Sequence, residues 1–136
     1  MLKFDLTKTD IDEVEDKISD RMIDTEIDVT IDNDGIGPYE CHGYCGVDKG
    51  TDYAYIEEQE EVPVEIIFDP KEYDVDDIDV IIDAQNRDWE HGGDDYRDGI
   101  PIETHLAIKD KKIIQKRRFF FKKICVYSGT LYWKEF

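Results

Sequence analysis

An uneven distribution of charge limits what this chain can fold into. Its 136 residues include 35 Asp or Glu and 17 Lys or Arg, so the formal net charge is −18. Residues 1–101 hold 32 of the acids and 8 of the bases, whereas residues 102–136 hold 3 acids and 9 bases. Self-repulsion on this scale opposes compaction. A folded state therefore needs a sufficient apolar core. We expect the cations of the basic end to pair with acids of residues 1–101 and so reduce this self-repulsion.

The apolar content is sufficient for one folded domain. Hydrophobic residues make up 40% of the chain and aromatic residues 12%, which offsets the chain entropy despite a charged fraction of 38%. A chain of this length holds one core, and we predict a single domain over residues 1–136. The sequence shows no apolar run long enough to cross a membrane and no signal peptide. The number of cysteines is odd. We expect a cytoplasmic protein with reduced thiols and no membrane partner.

Two segments have the apolar spacing of amphipathic helices, and both carry many acids on their remaining positions. The first covers about residues 10–22 and begins at Thr9 or Asp10, which are suitable N-caps. The second covers about residues 75–90. Their apolar faces consist of Ile11, Val14, Ile18 and Met22 in the first, and Ile78, Ile81, Ile82, Gln85 and Trp89 in the second.

The rest of the chain has the patterns of β-strands. Residues 2–6 alternate, and Ile27, Val29 and Ile31 alternate with polar or acidic residues. Residues 51–70 predict one or two extended segments, in which Pro63 favours an edge strand or a bulge. Three further strands are predicted near 103–108, 112–121 and 123–133, joined as hairpins. The expected fold class is α+β, with a mainly antiparallel β-sheet and two acidic amphipathic helices.

The segment GIGPYECHGYCG, residues 35–46, contains the candidate metal ligands Cys41, His42 and Cys45. Structural zinc usually has four ligands from C-x2-C pairs, whereas this is C-x3-C with no second pair. In an EF-hand alignment through Gly35, the first and twelfth ligand positions fall on Thr30 and Cys41, which do not suit calcium. We interpret the segment as a turn between strands and expect no metal and no cofactor.

Two other constellations leave alternatives open. Asp98, Glu103 and His105 faintly resemble half of a metal-dependent nuclease or phosphodiesterase site, but the glycine-rich, zinc-protease and nucleophile-elbow motifs are absent. A function other than catalysis is favoured. The basic block KDKKIIQKRRFFFKK is either a nucleic-acid patch or a set of bases that relieves the acidic body. The second interpretation is favoured, and no direct nucleic-acid contact is expected.

One pattern within residues 25–67 combines an acidic alternating strand, an IG-x-YE turn and an aromatic, glycine-rich segment that ends in G-x-D. Its matching residues are Ile36, Gly37, Tyr39, Glu40, Gly43, Tyr44, Gly46 and Asp48. This pattern resembles small uncharacterised proteins of bacteriophages and prophages. The resemblance implies an accessory protein of a virus or mobile element and transfers no catalytic residue. By analogy, small acidic phage proteins include CRISPR and restriction inhibitors, some of which occupy DNA-binding grooves.

These observations favour an inhibitor that binds a host protein with a basic nucleic-acid-binding groove through an acidic, DNA-mimic-like surface. It would act in the cytoplasm of the bacterial host. The alternative is a virion-associated or structural phage protein that assembles through its C-terminal strands. The expected partner-binding residues are acids and tyrosines, namely Asp32, Asp34, Tyr39, Glu40, Tyr44, Tyr53, Tyr55, Glu57, Glu58, Glu60, Glu61, Asp76, Asp77, Asp79 and Asp83.

Overall fold

The structure, a computed structural model, describes residues 1–33, 52–92, 99–118 and 122–135. These ranges form an α+β architecture, as predicted. The elements in chain order are β1 (Leu2–Asp5), α1 (Ile11–Ile23), β2 (Ile27–Asn33), β3 (Asp52–Gln59), β4 (Val62–Phe68), α2 (Val75–Asp83), β5 (Asn86–Gly92), β6 (Gly99–Arg118) and β7 (Lys122–Glu135).

Five of the strands form one sheet in the order β1-β4-β7-β6-β5, and β2 and β3 pair separately. The pairs β4–β7, β5–β6 and β6–β7 are antiparallel, but β1 and β4 run parallel, with Leu2 opposite Val64. The sheet is therefore mixed rather than purely antiparallel. The parallel pair follows from the long crossover between β1 and β4, which contains α1, β2 and β3.

Helix α1 forms where the sequence predicts it. The Asp10 side chain accepts a hydrogen bond from the Glu13 N–H at 2.9 Å, which satisfies one of the free donors at the helix start. Val14, Ile18 and Met22 are completely buried. They share one core with alternate residues of β4 and with the apolar face of α2. Neither helix in the described ranges is long and apolar enough to cross a bilayer.

Helix α2 is shorter than predicted. It begins at a reciprocal capping box between Asp74 and Asp77, and Ile78, Ile81 and Ile82 are buried as expected, but it ends at Asp83. The Gln85 carbonyl accepts the Leu106 N–H of β6 at 2.9 Å instead of continuing the helix. Residues 86–92 then pair with β6, so the prediction of helix up to residue 90 is wrong. Sheet pairing overrides the helical spacing there.

Two predictions about the strands also need correction. The predicted strands 103–108 and 112–121 are one strand, β6, because an irregularity between Lys109 and Lys112 absorbs the polar break without ending the pairing with β7. Strand β4 is an interior strand rather than an edge strand. Pro63 is tolerated because β1 begins pairing only at Val64, so Pro63 has a strand partner on one side alone, Thr130 of β7.

Candidate functional site

A groove between β3 and the end of β7 has a volume of about 530 Å³. It is lined by residues 56–59, 61 and 132–135, and we call it the glutamate groove. Four of its lining residues are glutamates, Glu57, Glu58, Glu61 and Glu135, and one is a cation, Lys134. The predicted acidic strand therefore lines a concave surface with an excess of negative charge.

Side-chain to backbone hydrogen bonds hold the two walls of the groove together. The Gln59 Nε2 donates to the Trp133 carbonyl and the Trp133 N–H donates to the Gln59 Oε1, both at 2.7 Å. The Ile56 N–H donates to the Glu135 Oε1 at 2.9 Å. The Trp133 indole N–H in turn donates to the Met22 carbonyl at 3.1 Å and to the Thr25 Oγ1 at 3.0 Å. The groove is thus anchored to the end of α1 and is a fixed feature of the fold.

A β-bulge places two glutamates side by side on β3. Asp28 of β2 is opposite Glu58, and the next pair is Val29 with Ile56, so Glu57 is the extra residue. The Thr30 hydroxyl donates to the Glu57 Oε2 at 2.5 Å. Asp28 and Glu58 are both exposed, and neither forms an ion pair with another described residue. Like charges directly opposite across a strand pair are unfavourable, and no cation among the described residues forms an ion pair that would offset this repulsion.

Two of the predicted partner-binding acids near the groove are already paired. Glu60 accepts a hydrogen bond from Arg21, and Glu61 accepts one from Lys109. The bond from Arg21 holds the pKa of Glu60 below its ordinary value, and the bond to Glu61 raises the pKa of Lys109. These carboxylates connect β3 and the following turn to α1 and β6. They are consequently less available to an external partner than Glu57 and Glu58.

The acids of α2 divide in the same way. Asp77 accepts from the Asp74 N–H as part of the capping box. Asp79 accepts from the Tyr127 hydroxyl at 2.5 Å and pairs with Lys111 at 3.0 Å. Asp76 and Asp83 are exposed and form no ion pair with other described residues. The Asp79–Lys111 pair connects α2 to β6, whereas Glu57 and Glu58 line the groove between β3 and β7.

The remaining predicted positions fall partly outside the described residues. Asp32 and Tyr53 are opposite each other in the β2–β3 ladder, and Tyr55 is half-buried opposite Thr30. Those that lie outside the described residues are Asp34, Tyr39, Glu40, Tyr44, Asp98 and the candidate metal ligands Cys41, His42 and Cys45.

The alternative catalytic set is described only in part. Glu103 is exposed and His105 is half-buried two residues further along β6, on the same face of the strand. Their register partners on β5 are Asp88 and Asn86. Within residues 1–33, 52–92, 99–118 and 122–135, no three His, Cys, Asp or Glu side chains converge on a metal-sized site.

Sequence reasoning missed the second wall of the groove. Tyr132, Lys134 and Glu135 line it but lie at the end of β7, where the sequence predicts a strand near 123–133 and, in the alternative function, an assembly surface. No local pattern connects them to β3, because the Ile56–Glu135 hydrogen bond joins residues 79 positions apart. Comparison of the chain with protein-family models, curated proteins and solved structures found no match.

Proposed function

We propose that this chain is a protein of a bacteriophage or other mobile element that binds a nucleic-acid-binding defence complex of a bacterial host, a CRISPR or restriction nuclease, and inhibits it. The observation that supports this proposal is the exposed acidic cluster at the glutamate groove. Glu57, Glu58 and Asp28 lie close together, and no described cation neutralises Glu58 or Asp28. They remain available to the Lys and Arg side chains of a partner groove that ordinarily holds phosphates.

The rigidity of the groove supports the same proposal. The Gln59–Trp133 hydrogen bonds hold β3 against β7, so the backbone that carries the carboxylates is in place before a partner arrives. Less conformational entropy is then lost on association. Cross-strand partners lie about 5 Å apart, which is of the same order as the charge spacing of about 3.4 Å along one DNA strand.

Aromatic side chains beside the groove provide the apolar part of the proposed contact. Tyr132 is half-buried in the groove wall, and Tyr55 is half-buried on β3. Anchors of this kind supply much of the affinity of an interface, whereas complementary charge mainly sets association rate and specificity. Exposed acids of α2, Asp76 and Asp83 among them, extend the acidic surface and favour the approach of a basic partner.

The test is inhibition of DNA cleavage by a panel of purified CRISPR effectors and restriction nucleases. The wild-type chain is expected to slow cleavage by at least one of these nucleases, and the effect should weaken as salt is raised. The double substitution Glu57→Gln and Glu58→Gln is expected to weaken inhibition about tenfold or more, since each removes one charge contact.

A matched control separates the groove from net charge. Asp16→Asn with Asp20→Asn removes the same two charges from exposed positions of α1 and should leave inhibition nearly unchanged. Equal losses in the two double variants would mean that only bulk acidity matters, and inhibition of no nuclease in the panel would overturn the proposed function.

A further inference from the structure

A strongly basic segment lies at the end of the β6–β7 hairpin, in an otherwise acidic protein. Residues 111–118 and 122–123, which we call the basic hairpin, contain seven cations and no acid. Three of the cations are held by carboxylates elsewhere in the fold. Lys111 pairs with Asp79 at 3.0 Å, Arg118 with Asp5 at 3.1 Å and Lys122 with Asp69 at 3.6 Å.

These three ion pairs anchor the basic hairpin to α2, β1 and the turn after β4. The Arg118 pair is further held by Thr7, whose hydroxyl lies 3.2 Å from the guanidinium. Burial favours the protonated form of Asp5, but hydrogen bonds from Thr7 and the contact with Arg118 hold the pKa of Asp5 below its ordinary value. These three cations therefore reduce the self-repulsion of the acidic part of the chain, as expected for its basic end.

The other four cations are not explained in this way. Lys112, Lys116, Arg117 and Lys123 are exposed, and none of them forms an ion pair with another described residue. Arg117 is directly opposite Lys123 in the β6–β7 ladder. Directly opposed like charges destabilise a strand pair. No acid among the described residues pairs with either side chain, so an external anion that bound here would relieve the repulsion.

The backbone next to these side chains is also available. Strand β5 pairs with β6 only from Gly99 to His105, so in the part of the chain that the structure describes, the outer edge of residues 112–118 has no strand partner. Lys112 and Lys116 lie on one face of β6 and Arg117 on the other, because successive side chains alternate. An anionic chain that follows this edge therefore meets cations from both faces and backbone N–H groups between them.

We propose that the edge of the basic hairpin binds nucleic acid through its phosphate backbone. An extended polyanion fits because the four cations are spread along two strands and do not converge on one point. An anionic membrane is disfavoured, since the exposed Ile113 and Ile114 are neighbours that point to opposite faces and form no single apolar face for insertion.

A second copy of this chain is also a poorer partner than nucleic acid. Two copies that each carry a net charge of −18 repel one another. Nucleic acid is also negative, but it carries condensed counterions, and their release on binding supplies a favourable entropy that a protein surface lacks. This proposal is independent of the proposed inhibitor function, because it concerns different residues and requires no host protein.

Fluorescence anisotropy of labelled DNA tests the proposal, with a single strand of about 20 nucleotides and a duplex of the same sequence. If all four cations contact phosphates, the slope of log K against log salt is about −2.8 for the single strand and about −3.6 for the duplex. Affinity for the single strand should then fall about 50-fold between about 50 and 200 mM salt.

The double substitution Arg117→Gln and Lys123→Gln should halve both slopes, to about −1.4 and −1.8. A matched control, Lys17→Gln with Lys134→Gln, removes two exposed cations from α1 and from the other end of β7 and should leave the slopes unchanged. Thermal melts of the first variant should show no loss of stability, since it relieves a like-charge pair.

Three results would overturn the proposal: no binding at low salt, unchanged slopes in Arg117→Gln/Lys123→Gln, or equal losses in the two double variants. Salt-sensitive self-association that depends on Arg117 and Lys123 in the absence of DNA would also overturn it, because a second copy would then be the partner. The variant Glu57→Gln/Glu58→Gln should retain DNA binding, so failure of one proposal is distinguishable from failure of the other.

Discussion

Asp79 allows a direct test of whether an acid of α2 is available to bind a partner or instead stabilises the folded state. Its carboxylate accepts from the Tyr127 hydroxyl at 2.5 Å and from Lys111 at 3.0 Å. Tyr127 is completely buried, so loss of its acceptor leaves a buried hydroxyl without that partner. A hydrogen bond to a charged group contributes about 1.5 to 3 kcal/mol. The ion pair with Lys111 adds at most about 1 kcal/mol, because the lysine is more than a third exposed.

Replacement of Asp79 by Ala should therefore destabilise the protein by about 2 kcal/mol, after about 0.5 kcal/mol is returned by the better helix propensity of Ala. For a chain of this size, that loss corresponds to a fall in Tm of about 6 to 10 °C. Asp76→Ala is the matched control. Asp76 is exposed in the first turn of the same helix, and its favourable interaction with the helix dipole and the gain in propensity nearly cancel. Its stability should stay within about 0.5 kcal/mol of wild type.

Urea and thermal unfolding followed by circular dichroism give both values. In a Tyr127→Phe background, the effect of Asp79→Ala should shrink to less than about 1 kcal/mol, because only the Lys111 pair remains to be lost. Equal destabilisation by Asp79→Ala and Asp76→Ala would refute the reasoning. So would an Asp79→Ala effect that is unchanged when the tyrosine hydroxyl is absent.

Two further predictions follow from the same core. Burial, together with the hydrogen bond to Asp79, raises the pKa of Tyr127 well above its ordinary value of 10.0, so only the unfolded chain ionises there as pH rises. The stability that Tyr127 contributes is fully present below its ordinary pKa and is lost as the pH rises above that value. In urea melts above that pH, the wild-type chain should lose about 1.4 kcal/mol of stability per pH unit relative to Tyr127→Phe. Parallel pH profiles of the two proteins would contradict this. Gly129→Ala would place a Cβ 2.6 Å from Ile108 side-chain atoms and 3.0 Å from the Lys109 carbonyl oxygen. In thermal melts, this clash is expected to lower the stability of the protein by about 1 to 3 kcal/mol, and Ile108→Ala should partly restore the loss. An unchanged Tm would contradict this, because β6 and β7 would then move apart without cost.

The candidate site was predictable on one side only. Glu57, Glu58 and Glu61 stand out in the sequence as a run of acids in an extended segment, and the first two are exposed at the groove. The other wall was not predictable, because Tyr132 and Glu135 have no local pattern that places them beside β3. Whether an acid is available also depends on distant residues. Glu61 and Asp79 look like Glu58 and Asp76 in sequence, but Lys109 and Lys111 engage them.

Features that depend on near neighbours could be predicted from the residues alone. Asp10 caps α1, and Val14, Ile18 and Met22 bury one face of it, because caps and helical spacing act within a few residues. The alternation of β2 and the buried isoleucines of α2 were visible for the same reason. The segregation of charge between the two ends of the chain also follows from composition alone.

The end of α2, the continuity of β6 and the pairing of the described charges depend instead on contacts between distant parts of the chain. Residues 85–90 keep helical spacing, but the Gln85 carbonyl and the backbone that follows it form hydrogen bonds with β6 instead of continuing the helix. Four cations of the basic hairpin form no ion pair within the described part of the chain, and they differ from Lys111, Arg118 and Lys122 only in what the fold places beside them. Each of these outcomes depends on partners far away in the chain, and local pattern carries no information about them.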